Sequence, residues 1–345
     1  MHQSLLQKND PKTTNIEQCQ RVNSLDLKSW FSELKQDLAC PIHQIKEEHK
    51  YSPVTAPYHY LKLKIRGAES LKNDTDPIFL CTACNKCHMA GLRYRVRQHL
   101  VKNGIIPHNL PYLQKAIAKY GNPYSSGRER QTFLTKRYDA SSDTALFLGC
   151  TSSPIPRIQK MATSAISLLE DSGAEFRLLP NESCCGYILY TTGDVEGAEA
   201  VAQENIQMFR DEGVKQLITT CPGCYLAFNS FYPLKDIEVH HLLEVIEPKT
   251  LPHDLTLTVH YPDHLHQVKG ITRKLLKDND LHRSHYPCCG ANLISYAPKL
   301  SREVARRMID ESKGQLVAYC PSCYLILSRV DKTKVKDLYS LLARG

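Results

Sequence analysis

The chain of 345 residues has no apolar run approaching eighteen residues, which excludes a membrane-spanning helix and leaves peripheral attachment open. Its opening segment, Met-His-Gln-Ser-Leu-Leu-Gln-Lys-Asn-Asp, lacks the apolar stretch of a secretory signal. It has no flavin or nicotinamide fingerprint, so a redox role would need a partner chain. No nucleic-acid recognition motif accompanies the formal net charge of +8, and charge alone does not argue for nucleic-acid binding. Cysteine, by contrast, is abundant: there are fourteen. A chain this long does not need a disulfide framework, and its Cys-x-x-Cys spacings are those of metal ligands. A reducing cytoplasm is the expected setting.

Two segments share one pattern. Cys184-Cys185-Gly186 is followed by Cys221-Pro222-Gly223-Cys224-Tyr225-Leu226, and Cys288-Cys289-Gly290 by Cys320-Pro321-Ser322-Cys323-Tyr324-Leu325. Adjacent thiolates joined by two more from a Cys-x-x-Cys make a soft-metal site, iron–sulfur or zinc. The first copy also has Cys150. Five thiolates exceed what a tetrahedral zinc or an ordinary cubane uses, so the count argues for a less ordinary cluster, with an inert core cysteine as the plainer account of the surplus. In the second copy, Cys288, Cys289, Cys320 and Cys323 stand without a fifth. The position matching Cys150 is Asp263, in His260-Tyr261-Pro262-Asp263-His264-Leu265. A carboxylate is a harder and weaker ligand for iron. It could hold one iron loosely and leave it open to substrate, or leave a four-cysteine site for zinc or a cubane. His260, His264 and His266 are nearby candidate ligands.

A third group precedes both copies. Cys81, Cys84 and Cys87 have the Cys-x-x-Cys-x-x-Cys spacing that wraps a [4Fe–4S] cubane, or alternatively binds zinc. Gly91 stands where a following fourth cysteine would fall, and Cys40-Pro41 is the expected source of the fourth ligand. Cys40 could instead be a lone buried thiol. Cys19 reads as a bystander in the N-terminal segment.

Around these groups the sequence divides into an N-terminal segment (1–35), a small helical ferredoxin-like unit (36–140), and two α/β units (141–247 and 248–345). A helix is expected near Leu25–Leu38, a loop over Tyr51–Tyr60, and helices over Leu92–Asn103 and Pro111–Tyr120. Strands are expected at Ala145–Gly149, Ala174–Leu179, Val214–Thr219, Leu255–His260 and Gln315–Tyr319. Helices at Ile155–Glu170, Val195–Arg210, Ile271–Leu276 and Leu300–Glu311 alternate with them. This alternation predicts parallel sheets, each strand delivering a cysteine at its C-terminal end, where open α/β sheets bind ligands. The basic run Arg93, Arg95, Arg97, Lys102, Lys115, Lys119, Arg128, Arg130, Lys136, Arg137 reads as a solvated helical face, or as a docking surface for an acidic redox partner.

These motifs resemble the cysteine-rich CCG-domain family, best known from heterodisulfide reductase, one subunit of which carries the pattern twice. His260–Leu265 is similar to the family's His-Asp-Pro-Cys-His-Leu frame except at Tyr261 and Asp263, and Val239–Glu244 looks like its inter-repeat linker. Cys81–Cys87, with Gly121-Asn122-Pro123 and Gly127-Arg128-Glu129-Arg130, resembles a smaller subunit of the same system that carries two cubane motifs. There Cys40-Pro41 matches the end of one cubane motif and Cys81, Cys84 and Cys87 the start of the next, so one of two cubanes is kept. The resemblance implies a cubane at Cys40, Cys81, Cys84 and Cys87. It implies a catalytic noncubane [4Fe–4S] cluster at Cys150, Cys184, Cys185, Cys221 and Cys224, and an iron–sulfur or zinc site at Asp263, Cys288, Cys289, Cys320 and Cys323. The implied role is an oxidoreductase subunit that takes electrons from a flavin-containing partner and acts on a disulfide or thiol. The alternative is an electron-transfer subunit of a lactate, glycolate, glycerol-3-phosphate or succinate-type dehydrogenase. The substitution at Asp263 and the missing cubane put two-cluster disulfide cleavage in question.

Overall fold

The computed structural model describes residues 40–343 apart from 88, 128–129, 139–140, 247–254, 263–267, 277–278 and 285. The expected helix at 25–38, Cys19, Arg128, Asp263, His264 and His266 lie outside the described residues.

The described part of the N-terminal unit is helical: α1 (Pro41–Lys46), α2 (Ala56–Arg66), α3 (Thr75–Phe79), α4 (Ala90–Lys102) and α5 (Leu110–Tyr120). The expected loop over Tyr51–Tyr60 is corrected here. A single 3-10 turn at Pro53–Thr55 leads straight into α2. Pro57 falls in the first turn of that helix, where its missing N–H has no intrahelical partner to lose, so it starts the helix rather than breaking it.

From residue 144 the chain builds two four-stranded parallel sheets. The first contains β1 (Thr144–Phe147), β2 (Arg177–Leu178), β3 (Gln216–Thr219) and β4 (Glu238–His241) in the order β2-β1-β3-β4. The second contains β5 (Thr256–His260), β6 (Asp280–Arg283), β7 (Gln315–Ala318) and β8 (Val335–Asp337) in the order β6-β5-β7-β8. The connecting helices are α6 (Pro156–Asp171), α7 (Tyr187–Thr192), α8 (Val195–Asp211), α9 (Pro222–Phe228) and α10 (Leu242–Val245). In the second unit they are α11 (Val268–Leu275), α12 (Pro298–Glu311), α13 (Pro321–Val330) and α14 (Leu338–Leu342). In each sheet the strand order reverses between the first and third strands, which makes the crevice at their C-terminal ends the topological switch point.

The central strands β1, β3, β5 and β7 are buried on both faces. Leu146, Ile218, Leu257, Val259 and Val317 share one apolar core with α6 and α14, which joins the two sheets. Ala145, Phe147 and Leu217 turn the other way, onto α5 and α8. Leu316 and Ala318 pack on α12 and α13. The predicted parallel α/β architecture is therefore present. Two details differ. The strand expected over Ala174–Leu179 shortens to β2, and the edge strands β4 and β8 lead to no cysteine, so not every strand delivers a thiol. Val239 and His240 lie within β4 rather than in a linker, held by parallel pairing to β3.

The solvated-face reading of the basic run also needs correction. Arg93, Arg97 and Arg130 are 5%, 4% and 9% exposed, and each guanidinium is spent on groups inside the protein. Lys102, Lys115, Lys119, Lys136 and Arg137 are exposed as expected.

Candidate metal centres

The two Cys-Cys-Gly turns have the same construction. Gly186 and Gly290 adopt φ of 77° and 83°, a left-handed conformation that a side chain disfavours. A Cβ on Gly290 would lie 2.9 Å from the Ser301 carbonyl oxygen, and one on Gly186 3.1 Å from that of Ala198. Glycine thus lets the cysteine pair turn tightly against α12 and α8. The Cys-Pro elements are alike too. Proline drives the preceding residue to extended backbone, and Cys221 (φ −113°, ψ 121°) and Cys320 (φ −92°, ψ 125°) adopt it. A helix starts at once, and its first turn brings Cys224 back towards Cys221 and Cys323 towards Cys320.

In the first unit, Cys150 follows β1, Cys184 and Cys185 follow β2, and Cys221 and Cys224 follow β3. Glu182, Asn205 and Tyr232, absent from the sequence reading, tie these loops together with Arg130, which that reading placed in the basic run and in a family-like motif. Glu182, 5% exposed, accepts hydrogen bonds from the Leu148 and Gly149 N–H groups at 2.8 and 2.9 Å. Burial pushes its carboxyl up to about 7, against the pull of Arg130 and those two donors. Arg130 donates from Nε to the Glu182 carbonyl (3.0 Å), and from its terminal nitrogens to the carbonyls of Gly149 and Gly121. Asn205 fixes the cysteine pair. Its Oδ1 accepts from Ser183 N–H (3.3 Å), and its Nδ2 donates to the Cys184 carbonyl (3.0 Å). The Tyr232 hydroxyl donates to the Cys185 carbonyl (3.1 Å). No local pattern marks Glu182, Asn205 or Tyr232; only the fold brings them to the loops.

In the second unit, Cys288, Cys289, Cys320 and Cys323 gather at the same end of the sheet. Cys289 and Cys323 lie with His260 such that one donor atom from each is within 4.8 Å of the others. The third group also assembles: Cys40, Cys81, Cys84 and Cys87 line one small cavity with Arg93 and Tyr51. Arg93 holds its positive charge beside this group while donating to His59 Nδ1 (2.9 Å) and the Thr55 hydroxyl (3.2 Å). Arg97 donates to the carbonyls of Ile78, Phe79, Cys81 and Thr191, so one buried guanidinium joins the cysteine loop to α7.

All three groups meet. A cavity of about 360 Å³ is lined by all five cysteines of the first group, all four of the second, and Cys84 of the third. Cys221 and Cys320, one from each repeat, are within hydrogen-bonding reach of each other. Cross-links hold the repeats together here: the Tyr339 hydroxyl donates to the Thr220 carbonyl (2.9 Å), and the Thr151 and Ser322 hydroxyls meet at 3.2 Å. Asn292 Nδ2 donates to the Thr82 carbonyl (2.9 Å), fastening the N-terminal cysteine loop to the second repeat.

The thirteen described cysteines are all free thiols, and their electrostatics suit metal binding. Burial, then the neighbouring Cys81, pushes Cys84 up to about 12. Donation to Cys184, with burial, holds the proton on Cys150. Donation from Cys184 and Cys224 brings Cys185 down to about 6. Cys289 is lowered by Cys288 and Cys323, and Cys320 by Cys221 and Cys323. Neighbouring thiolates thus repel, and only a subset ionises readily. A bound cation would remove this penalty, releasing the protons as it binds. The donor chemistry and convergence fit iron–sulfur clusters.

Residues 144–229 and 256–328 match the family of the cysteine-rich CCG domain. The chain is 26% identical over 312 residues to an iron–sulfur protein of Methanocaldococcus jannaschii, covering 77% of this chain and 62% of that protein. It is 25% identical over 299 residues to one subunit of the dihydromethanophenazine:CoB–CoM heterodisulfide reductase of Methanosarcina mazei, covering 73% of each. A segment of 104 residues is 30% identical to the EtfAB:quinone oxidoreductase of Syntrophomonas wolfei, covering 29% of this chain and 15% of that protein. The chain therefore spans under two thirds of the M. jannaschii protein. Among the described residues no helix is long and apolar enough to cross a membrane.

Proposed function

We propose that this chain, an iron–sulfur protein of oxidoreductase type with two CCG cysteine-rich domains, is the redox subunit of a heterodisulfide-reductase-like complex. It would act in the cytoplasm on a disulfide or thiol substrate in the central cavity. The observation that supports this reading is the convergence of three cysteine groups on one cavity. Cys40, Cys81, Cys84 and Cys87, in the unit 36–140, would hold a [4Fe–4S] cubane. Cys150, Cys184, Cys185, Cys221 and Cys224, in the unit 141–247, would hold a noncubane cluster. Cys288, Cys289, Cys320 and Cys323, with one further donor from the end of β5 or from Asp263 in the loop beyond it, would hold an iron–sulfur or zinc centre in the unit 248–345. When bound, such clusters supply single electrons at tuned potentials and iron that accepts thiolate.

The chain's own side chains do the rest. Leu113, Ile188, Leu325 and Ile326 give the cavity apolar walls that exclude water, and Arg329 offers a cation for an anionic end of the substrate. Tyr124, half-buried and bonded to the Thr151 hydroxyl (3.2 Å), is held protonated by desolvation and can offer its hydroxyl as a hydrogen-bond donor to a departing thiolate. Reducing a disulfide consumes two electrons and two protons and releases two thiols. The electrons would come from a flavin-containing partner.

The likeness to the EtfAB:quinone oxidoreductase favours a second reading, an electron-transfer subunit of a dehydrogenase complex with no substrate site of its own. Anaerobic purification followed by iron, sulfide and zinc analysis tests both readings. About eight irons per chain correspond to a cubane and one noncubane cluster, and about twelve to three loaded centres. Zinc without sulfide refutes both. Disulfide turnover lost in Cys185→Ser supports the enzyme reading; turnover that survives the change refutes Cys185 as part of the active centre.

A further inference from the structure

The sheet registers identify which residues of the two repeats correspond. In the first sheet Phe147 pairs with Thr219, two residues before Cys221; in the second, His260 pairs with Ala318, two residues before Cys320. His260 therefore occupies the place of Phe147, and Asp263 the place of Cys150. Phe147 is fully buried, in edge contact with Phe209 and Phe228, and belongs to the same apolar cluster as Cys184, Cys185 and Cys224. In the second repeat this apolar ring is replaced by an imidazole at the cysteines.

We propose that His260 is a ligand of the second metal centre. It would restore five protein donors with four sulfurs and one nitrogen, in place of the five sulfurs of the first. His260 is 1% exposed, lines the central cavity, and its Nδ1 has no hydrogen-bond partner among the described residues. A buried imidazole nitrogen without a partner costs free energy. One donor atom each from His260, Cys289 and Cys323 lies within 4.8 Å of the other two, and Cys288 and Cys320 adjoin the latter pair. Imidazole is a suitable ligand beside thiolate for both iron and zinc. The strand end, rather than the loop beyond it, thus supplies the extra donor.

The substitution has an electronic consequence. A neutral imidazole in place of a thiolate leaves the centre one negative charge lighter, and histidine-for-cysteine exchange raises the potential of iron–sulfur centres. The second centre would then be the easier of the two to reduce.

This inference rests on the metal-binding part of the proposed function, and its test separates the two. The full chain, labelled with ¹⁵N-histidine and purified without oxygen, is studied by pulsed electron paramagnetic resonance. If the second centre holds zinc, X-ray absorption at the zinc edge replaces it. The expected result is a directly coordinated histidine nitrogen on one centre. It should disappear in His260→Phe, which recreates the first repeat's residue, and His260→Cys should lower that centre's reduction potential when it is iron–sulfur. Wild-type protein loaded at this centre but showing only sulfur coordination overturns the assignment, without needing a folded variant. Nitrogen coupling that persists in His260→Phe overturns it too, in favour of another histidine. Absence of iron and sulfide throughout would instead refute the redox function and leave a zinc–histidine result intact.

Discussion

Alanine at Gly290 tests how the Cys-Cys-Gly turn is built. At φ of 83° an added side chain costs about 1–2 kcal/mol in left-handed backbone energy. The new Cβ would also sit 2.9 Å from the Ser301 carbonyl oxygen and 3.1 Å from Val304 Cβ, both on a packed helix. Overpacking of this kind costs about 1–3 kcal/mol more, for a total of about 2–5 kcal/mol. The strain is relieved by moving Cys288 and Cys289 away from α12, which separates them from Cys320 and Cys323. Gly213 is the control: its φ is 64°, but nothing lies within 4 Å of an added Cβ, so alanine there should cost only the about 1–2 kcal/mol of backbone strain. Thermal midpoints and metal content of both variants, measured side by side without oxygen, check the argument. Gly290→Ala should melt lower and lose metal from the second centre alone. Equal midpoints with full metal in both variants would refute this account.

Arg97→Lys cannot reproduce the fork that joins Ile78, Phe79, Cys81 and Thr191, and should cost about 3 kcal/mol. The signal of the proposed N-terminal cubane should weaken while signals from the other centres persist in electron paramagnetic resonance. Glu182→Gln keeps one acceptor for the Leu148 and Gly149 N–H groups but loses the other and the charge facing Arg130. A loss of about 1–3 kcal/mol is expected in denaturant titration, with metal retention falling at the first centre. Burial lowers the His241 imidazole to about 3, and its Nδ1 accepts from Leu243 N–H. The folded state therefore favours neutral histidine. Its stabilisation is full above the unfolded value of 6.5 and is lost as pH falls towards 3, at about 1.4 kcal/mol per pH unit. Urea midpoints of wild type and His241→Asn should diverge at about pH 7.5 and converge at about pH 5; parallel pH profiles would contradict this.

Much of the architecture is legible in the chain because its signals are local. Apolar runs ending in cysteine, helices opened by Cys-Pro and the paired glycines each depend on neighbours a few residues away. The failures are non-local. The proline-containing stretch Tyr51–Tyr60 reads as a loop, but Pro57 lies in the first turn of α2. β4 lacks a strong strand signal and owes its conformation to pairing with β3. Arg93, Arg97 and Arg130 resemble any basic helical face until the fold surrounds them with carbonyls. The same holds at the centres. Ligand type and spacing name the thiols and bias them towards soft metal, since softness and Cys-x-x-Cys reach are properties of short segments. That the three groups share one cavity follows only from the packing of two sheets across a common core, and that Glu182 and Asn205 hold the first and His260 faces Cys289 follows only from the strand order and crossovers within each sheet. Those contacts join residues far apart in the chain, where no spacing rule reaches.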